Sequence, residues 1–127
     1  MLPNRFRISK ASTDALKVLK ARTGVTPNIA CRIALMLSLE RGRTGGQREV
    51  DLEGAELYTH TLFGEASQIY EYFLKQVHGD VDSKKITHIV ASHIESGTEE
   101  LKRIKNLLEL SAVMSSPSRK AKREARR

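Results

Sequence analysis

The sequence predicts a small, mainly helical single domain in which a short strand and two helices precede two further helices, assembled into an oligomer. Three observations carry this. Apolar residues recur at three- and four-residue steps over most of the chain, the period of an amphipathic helix. Strand-like alternation is confined to two short stretches. One helix is so apolar that a chain of 127 residues can hardly cover all its faces, which predicts a partner copy. That length suits one domain with a core and is too short for two ordinary ones. With 5% aromatics and no Trp, the core is expected to be aliphatic.

In Asn4-Arg5-Phe6-Arg7-Ile8-Ser9, Phe6 and Ile8 alternate with Arg5 and Arg7, as in a half-buried strand. Ser12 or Thr13 is the expected cap of a first helix running through Leu16, Leu19 and Arg22 to Gly24. Thr26-Pro27 opens a second, apolar helix through Leu39, with Pro in the first turn, where its missing N–H costs nothing. Arg41 to Arg48 holds three glycines in five residues and reads as a flexible, basic connector. Glu49-Val50-Asp51-Leu52-Glu53 alternates acid and apolar and predicts a short second strand. Leu62, Ala66, Ile69, Tyr70, Phe73, Leu74 and Val77 mark an amphipathic helix ending at Gly79. Asp82 is the expected cap of a last long helix through Ile86, Ile94, Leu101 and Leu108, kinked at Gly97. The helical domain is thus expected over 1–114. A basic, disordered tail is expected over 115–127.

The net charge of +7 is segregated. Residues 1–48 hold ten Lys/Arg against two acids, a balance of +8; residues 49–116 carry −6 and residues 117–127 carry +5. A basic front, an acidic body and a basic tail point to a polyanionic partner such as DNA. There is no apolar run of membrane-spanning length and no signal-peptide pattern, and a lone cysteine, Cys31, fits a reducing compartment. Together these predict a cytoplasmic protein.

Lys10, Thr13, Lys17 and Lys20 share one face of the first helix, with Arg22 at its border. Ammonium groups on a rigid helix suit phosphate contact, and Arg5, Arg7, Arg41, Arg43 and Arg48 lie in the same segment. These nine Lys and Arg residues form the candidate DNA-binding set. Glu49, Asp51, Glu53 and Glu56 would be the carboxylates of a metal-dependent nicking enzyme, but solvated or salt-bridged acids are the simpler expectation. They would also be natural partners for Arg5 and Arg7. His60, His78, His88 and His93 offer no zinc spacing, and Cys31 within an apolar helix is expected to be a buried, inert thiol. No catalytic set, metal site or cofactor site is predicted.

Met1-Leu2-Pro3-Asn4-Arg5-Phe6-Arg7-Ile8-Ser9-Lys10 is followed by Leu16-Lys17-Val18-Leu19-Lys20-Ala21-Arg22-Thr23-Gly24. Thr26-Pro27-Asn28, Leu39-Glu40-Arg41-Gly42, Gly46-Gln47-Arg48-Glu49-Val50-Asp51-Leu52 and Ala91-Ser92-His93-Ile94 come after. In order and interval these motifs resemble the DndE family, over roughly residues 1 to 110. That family supplies a small subunit of the DNA phosphorothioation machinery, which replaces a non-bridging phosphate oxygen with sulfur. The resemblance implies a non-catalytic, cofactor-free DNA-binding subunit that forms a homotetramer and prefers nicked duplex. It also implies larger ATPase-like and sulfotransfer-type partners, and similarity to ribbon-helix-helix proteins. In those proteins a strand such as Arg5–Arg7 pairs with its copy and reads base edges, so a ribbon-helix-helix regulator is the alternative expectation.

Overall fold

The computed structural model describes residues 2–115; the basic tail predicted over 115–127 lies, apart from Ser115, outside the described residues. The predicted strand, β1 (Arg5–Arg7), buries Phe6 and leaves Arg5 and Arg7 exposed. It pairs antiparallel with β2 (Glu56–Tyr58) of the same chain, Phe6 opposite Leu57 and Arg7 opposite Glu56. The second strand therefore begins after the acid-rich stretch expected to form it. Asp51 explains the difference, because its carboxylate accepts from the backbone N–H of Lys10 and of Glu53, 3.0 Å each. Residues 51–53 thus turn to cap the neighbouring helix instead of extending.

Helix α1 (Lys10–Thr23) is capped by Ser9 rather than by Ser12 or Thr13: Ser9 Oγ accepts from the Ser12 N–H at 3.0 Å. Ser12 and Thr13 support that cap, the first by a 2.9 Å hydroxyl contact with Ser9 Oγ, the second by donating to the Ser9 carbonyl. Gly24 closes the helix in the left-handed conformation, as expected. Helix α2 (Pro27–Glu40) opens on Thr26-Pro27 and buries Ala30, Cys31, Ala34, Leu35 and Ser38, leaving Ile29 and Met36 exposed.

The expected amphipathic helix over 62–77 is divided. Helix α3 (Thr59–Phe63) and a 3-10 turn (Gly64–Ala66) precede α4 (Ser67–His78), which ends at Gly79. Arg32 on α2 holds the end of α3, its Nε donating to the Leu62 carbonyl and its Nη2 to the Thr61 carbonyl. The last predicted helix also divides. Helix α5 (Ser83–Leu101), capped by Asp82, stops at Lys102, and α6 (Leu107–Ser115) starts anew with Asn106 Oδ1 accepting from the Glu109 N–H.

Helix α5 runs unbroken through Gly97. This glycine lies where α5 crosses α2, so close that a Cβ there would sit 2.0 Å from the Ala34 carbonyl oxygen. Helices α2 and α5 form the centre of the molecule; Leu35, Ile86, Val90 and Ile94 fill it with Leu16, Leu19 and Phe63 from the surrounding helices. The result is one mainly helical domain, with the two-stranded ribbon laid along one edge.

Candidate nucleic-acid interface

Lys10, Lys17 and Lys20 are exposed on α1, with half-buried Thr13 between them in the same helical register. Among the described residues, Lys17 and Lys20 form no ion pair. Lys17 and Lys20 therefore present positive charge outside any ion pair, on a helix whose start is fixed by Ser9 and Asp51. Asp51 is itself held below the usual carboxylate range by the backbone N–H groups of Lys10 and Glu53, with the Lys10 ammonium adding to the effect.

The arginines divide from the lysines. Arg5 pairs with Glu56 at 3.5 Å, and Arg7 donates to the Gly54 carbonyl at 3.3 Å. Arg22 donates to the Lys102 carbonyl, and Arg41 lies 3.7 Å from Glu100. Arg48 is the most engaged: its Nε is 3.4 Å from Glu95 and its Nη2 is 3.0 Å from Glu99. That contact raises the pKa of Arg48 and lowers that of Glu99. Arg43 is exposed and makes no ion pair among the described residues. Thus six of the nine predicted contact residues form no ion pair among the described residues, and of these Arg7 and Arg22 are held by backbone carbonyls while Lys10, Lys17, Lys20 and Arg43 are not. The acids of the body engage Arg5, Arg41 and Arg48.

The Gly-rich segment is not a loose connector. Residues Arg43–Gly46 form a 3-10 turn seated on α5. Ser92 Oγ donates to the Gly45 carbonyl at 2.6 Å and accepts from the Arg48 N–H at 3.0 Å, and Ser96 Oγ reaches the same carbonyl at 3.1 Å. The glycines permit this approach, because a Cβ on Gly46 would lie 2.6 Å from the rings of His78 and His93. Periodicity alone could not reveal this contact, whose partners lie some thirty to fifty residues further along the chain.

The same contact joins two histidines that the sequence treats as unrelated. His93 is fully buried, with Nδ1 2.7 Å from Ser38 Oγ and Nε2 2.7 Å from His78 Nε2. Burial, with His78 and Arg41 nearby, pushes the His93 pKa down to about 3; burial and Arg43 lower that of His78. Both rings are therefore neutral at pH 7. His60 and His88 are exposed.

The acidic stretch does not assemble as a ligand set: Asp51 is committed to backbone N–H groups and Glu56 to Arg5. Among the described residues no three His, Cys, Asp or Glu side chains converge as a metal site. Cys31 is buried, its thiol pushed up to about 12 by burial, so it is protonated and inert as the sequence suggests. No helix among the described residues is long and apolar enough to cross a membrane.

The fold and its surface define the class: a small, mainly helical domain with an exposed lysine ridge along its first helix. Within that class, the family model described as "DNA sulphur modification protein DndE" matches residues 5–109. This chain belongs to the DndE family. It is similar to the crystal structure of DndE from Escherichia coli B7A, described as involved in DNA phosphorothioation modification. That likeness has 38% identity and a TM-score of 0.70, over 77% of this chain and 97% of the other. A DndE G21/24K mutant involved in DNA phosphorothioation is similar at 35% identity and a TM-score of 0.70, over 80% of this chain and 99% of that one. No curated protein matches the sequence.

Proposed function

We propose that the chain is the DNA-binding, non-catalytic subunit of a DNA phosphorothioation machine and contacts the duplex backbone largely without sequence preference. The observation that carries this is the exposed Lys10, Lys17 and Lys20 on one face of α1, with Lys17 and Lys20 outside any ion pair among the described residues. Arg43 extends the same positive character. The engaged arginines Arg5, Arg7, Arg22, Arg41 and Arg48 act as a second rank, able to turn to phosphate only by giving up an intramolecular contact. For Arg5 and Arg7 this weighs against base readout by the strand, since reading a base needs a freely presented fork.

A homo-oligomer, with the tetramer as the expected form, repeats the lysine ridge and raises affinity through effective concentration. A nicked duplex would be favoured because a nick bends cheaply onto a curved basic surface. The acidic body is the surface for the larger ATPase-like and sulfotransfer-type subunits, and the cytoplasm is the compartment such a machine works in.

The deciding experiment measures affinity against salt for intact, nicked and unrelated-sequence duplexes, with Lys17→Ala/Lys20→Ala alongside. A steep log–log slope with little sequence preference is expected, reduced by about two in the double variant, since each lost phosphate contact removes about one unit. A slope unchanged by that variant would remove the ridge from the interface. Equal affinity for intact and nicked duplex would remove the preference for nicks.

A further inference from the structure

Beside the seated turn lies an open cavity of about 430 Å³ lined by Arg43, Arg48, Lys85, His78 and His88, with the single acid Glu49 also on its wall. Arg48 is already held by Glu95 and Glu99, so the cationic groups left to the cavity are Arg43 and Lys85, with His88 exposed beside them. Arg43 is carried on backbone that Ser92 and Ser96 hold through the Gly45 carbonyl. The backbone from which its side chain springs is therefore set before any ligand arrives.

The buried chain of hydrogen bonds adds a directed donor. Ser38 is fully buried, and among the described residues its hydroxyl has no hydrogen-bond partner other than His93 Nδ1. A buried hydroxyl proton without an acceptor is costly, so Ser38 donates to Nδ1 and the His93 proton resides on Nε2. That proton is given to His78 Nε2, 2.7 Å away. Neutral His78 then carries its own proton on Nδ1, which leaves the ring on the cavity wall with one N–H donor of fixed position. Asn or Gln in place of His93 would not pass on this constraint in the same way.

We propose that this cavity binds a phosphate-type oxyanion, held by Arg43, Lys85 and His88, with the His78 Nδ1–H as its directed donor. Two cations from different elements and a fixed N–H make up the donor set such an anion takes. The space admits a phosphate ester as readily as inorganic phosphate. The inference goes beyond the DNA-binding reading and holds whether or not the α1 ridge meets DNA.

The test follows the side-chain nitrogens of His78 and His93 by NMR at pH 7 as inorganic phosphate is added at constant ionic strength. A saturable movement of the His78 signals is expected, with the His93 signals following through the shared proton. Arg43→Ala and Lys85→Ala should each weaken the apparent affinity about threefold to fivefold, as fits partly exposed charges. Arg103→Ala, a cation elsewhere on the surface, should leave it unchanged. No saturable movement up to about 10 mM phosphate would overturn the proposal. So would equal weakening by Arg103→Ala, which would reveal diffuse charge instead of a site. A parallel titration with duplex DNA identifies the source. DNA that moves the same signals and is displaced by phosphate places a backbone phosphate in the cavity. DNA that leaves them unmoved assigns the cavity to free phosphate or a phosphorylated small molecule.

Discussion

His93 has no exposed surface, Ser38 on one nitrogen and His78 on the other. Its folded pKa is lowered from 6.5 to about 3, and that of His78 is lowered in the same direction. A base with a depressed folded pKa binds its proton more readily when unfolded, so acid favours unfolding. The stability this pair contributes is fully present above about pH 6.5 and is lost as pH falls toward about 3. Each such proton changes stability by at most about 1.4 kcal/mol per pH unit. Urea unfolding midpoints should therefore drop as pH falls from about 6.5 to about 5.5, a window above the range where ordinary carboxylates titrate. His93→Gln should flatten that slope while lowering stability throughout. A flat wild-type profile would mean that the rings are more hydrated in solution than their packing implies. Composition and spacing could not expose this pair: four histidines without zinc spacing read as surface or core-edge residues, and nothing local shows that two of them meet.

At the scale of elements, what was legible follows from local chemistry, and what was hidden follows from contacts distant in sequence. Phe6 and Ile8 placed β1, Gly24 the end of α1, Thr26-Pro27 the start of α2 and Asp82 the start of α5, because each acts on its immediate neighbours. The lysine ridge was legible for the same reason, since three turns of one helix define it. The packing role of Gly97 was hidden because only α2, some sixty residues earlier, reveals it. Likewise, the Gly-rich segment read as a flexible linker until Ser92, Ser96 and the histidine pair appeared beneath it. The helix crossing yields a direct prediction. Gly97→Ala gains about 1 kcal/mol of helix propensity. It also forces a methyl toward the Ala34 carbonyl, where the packed α2 backbone has little freedom to retreat. Overpacking of this kind costs about 1–3 kcal/mol or more, so a net loss of stability is expected in thermal or urea unfolding. An Ala variant as stable as the wild type would show that α2 and α5 can separate without cost.

At the scale of the molecule, the apolar surface is not all interior. Ile29 and Met36 stand seven residues apart on α2, 47% and 40% exposed, with half-buried Ile33 between them. They form a stripe on the helix whose opposite face packs against α5. Exposing apolar side chains along a continuous helical face is costly in water and is relieved when a second copy covers them. Under the proposed function, that assembly also sets DNA affinity, because each added copy brings another set of Lys10, Lys17 and Lys20. Ile29→Asp with Met36→Asp should therefore convert the oligomer to a monomer in sedimentation while the far-ultraviolet helical signal persists, both side chains being half in solvent already. The same variant should bind DNA about a hundredfold more weakly, although it removes no cation. Its salt slope should fall as well, toward that of one ridge alone. Retained oligomerisation would move the interface to another exposed apolar surface, Ile69, Tyr72 and Phe73 on α4 or Leu107 and Leu108 on α6. A monomer with undiminished affinity would separate assembly from DNA binding, leaving a single lysine ridge to account for the whole interaction.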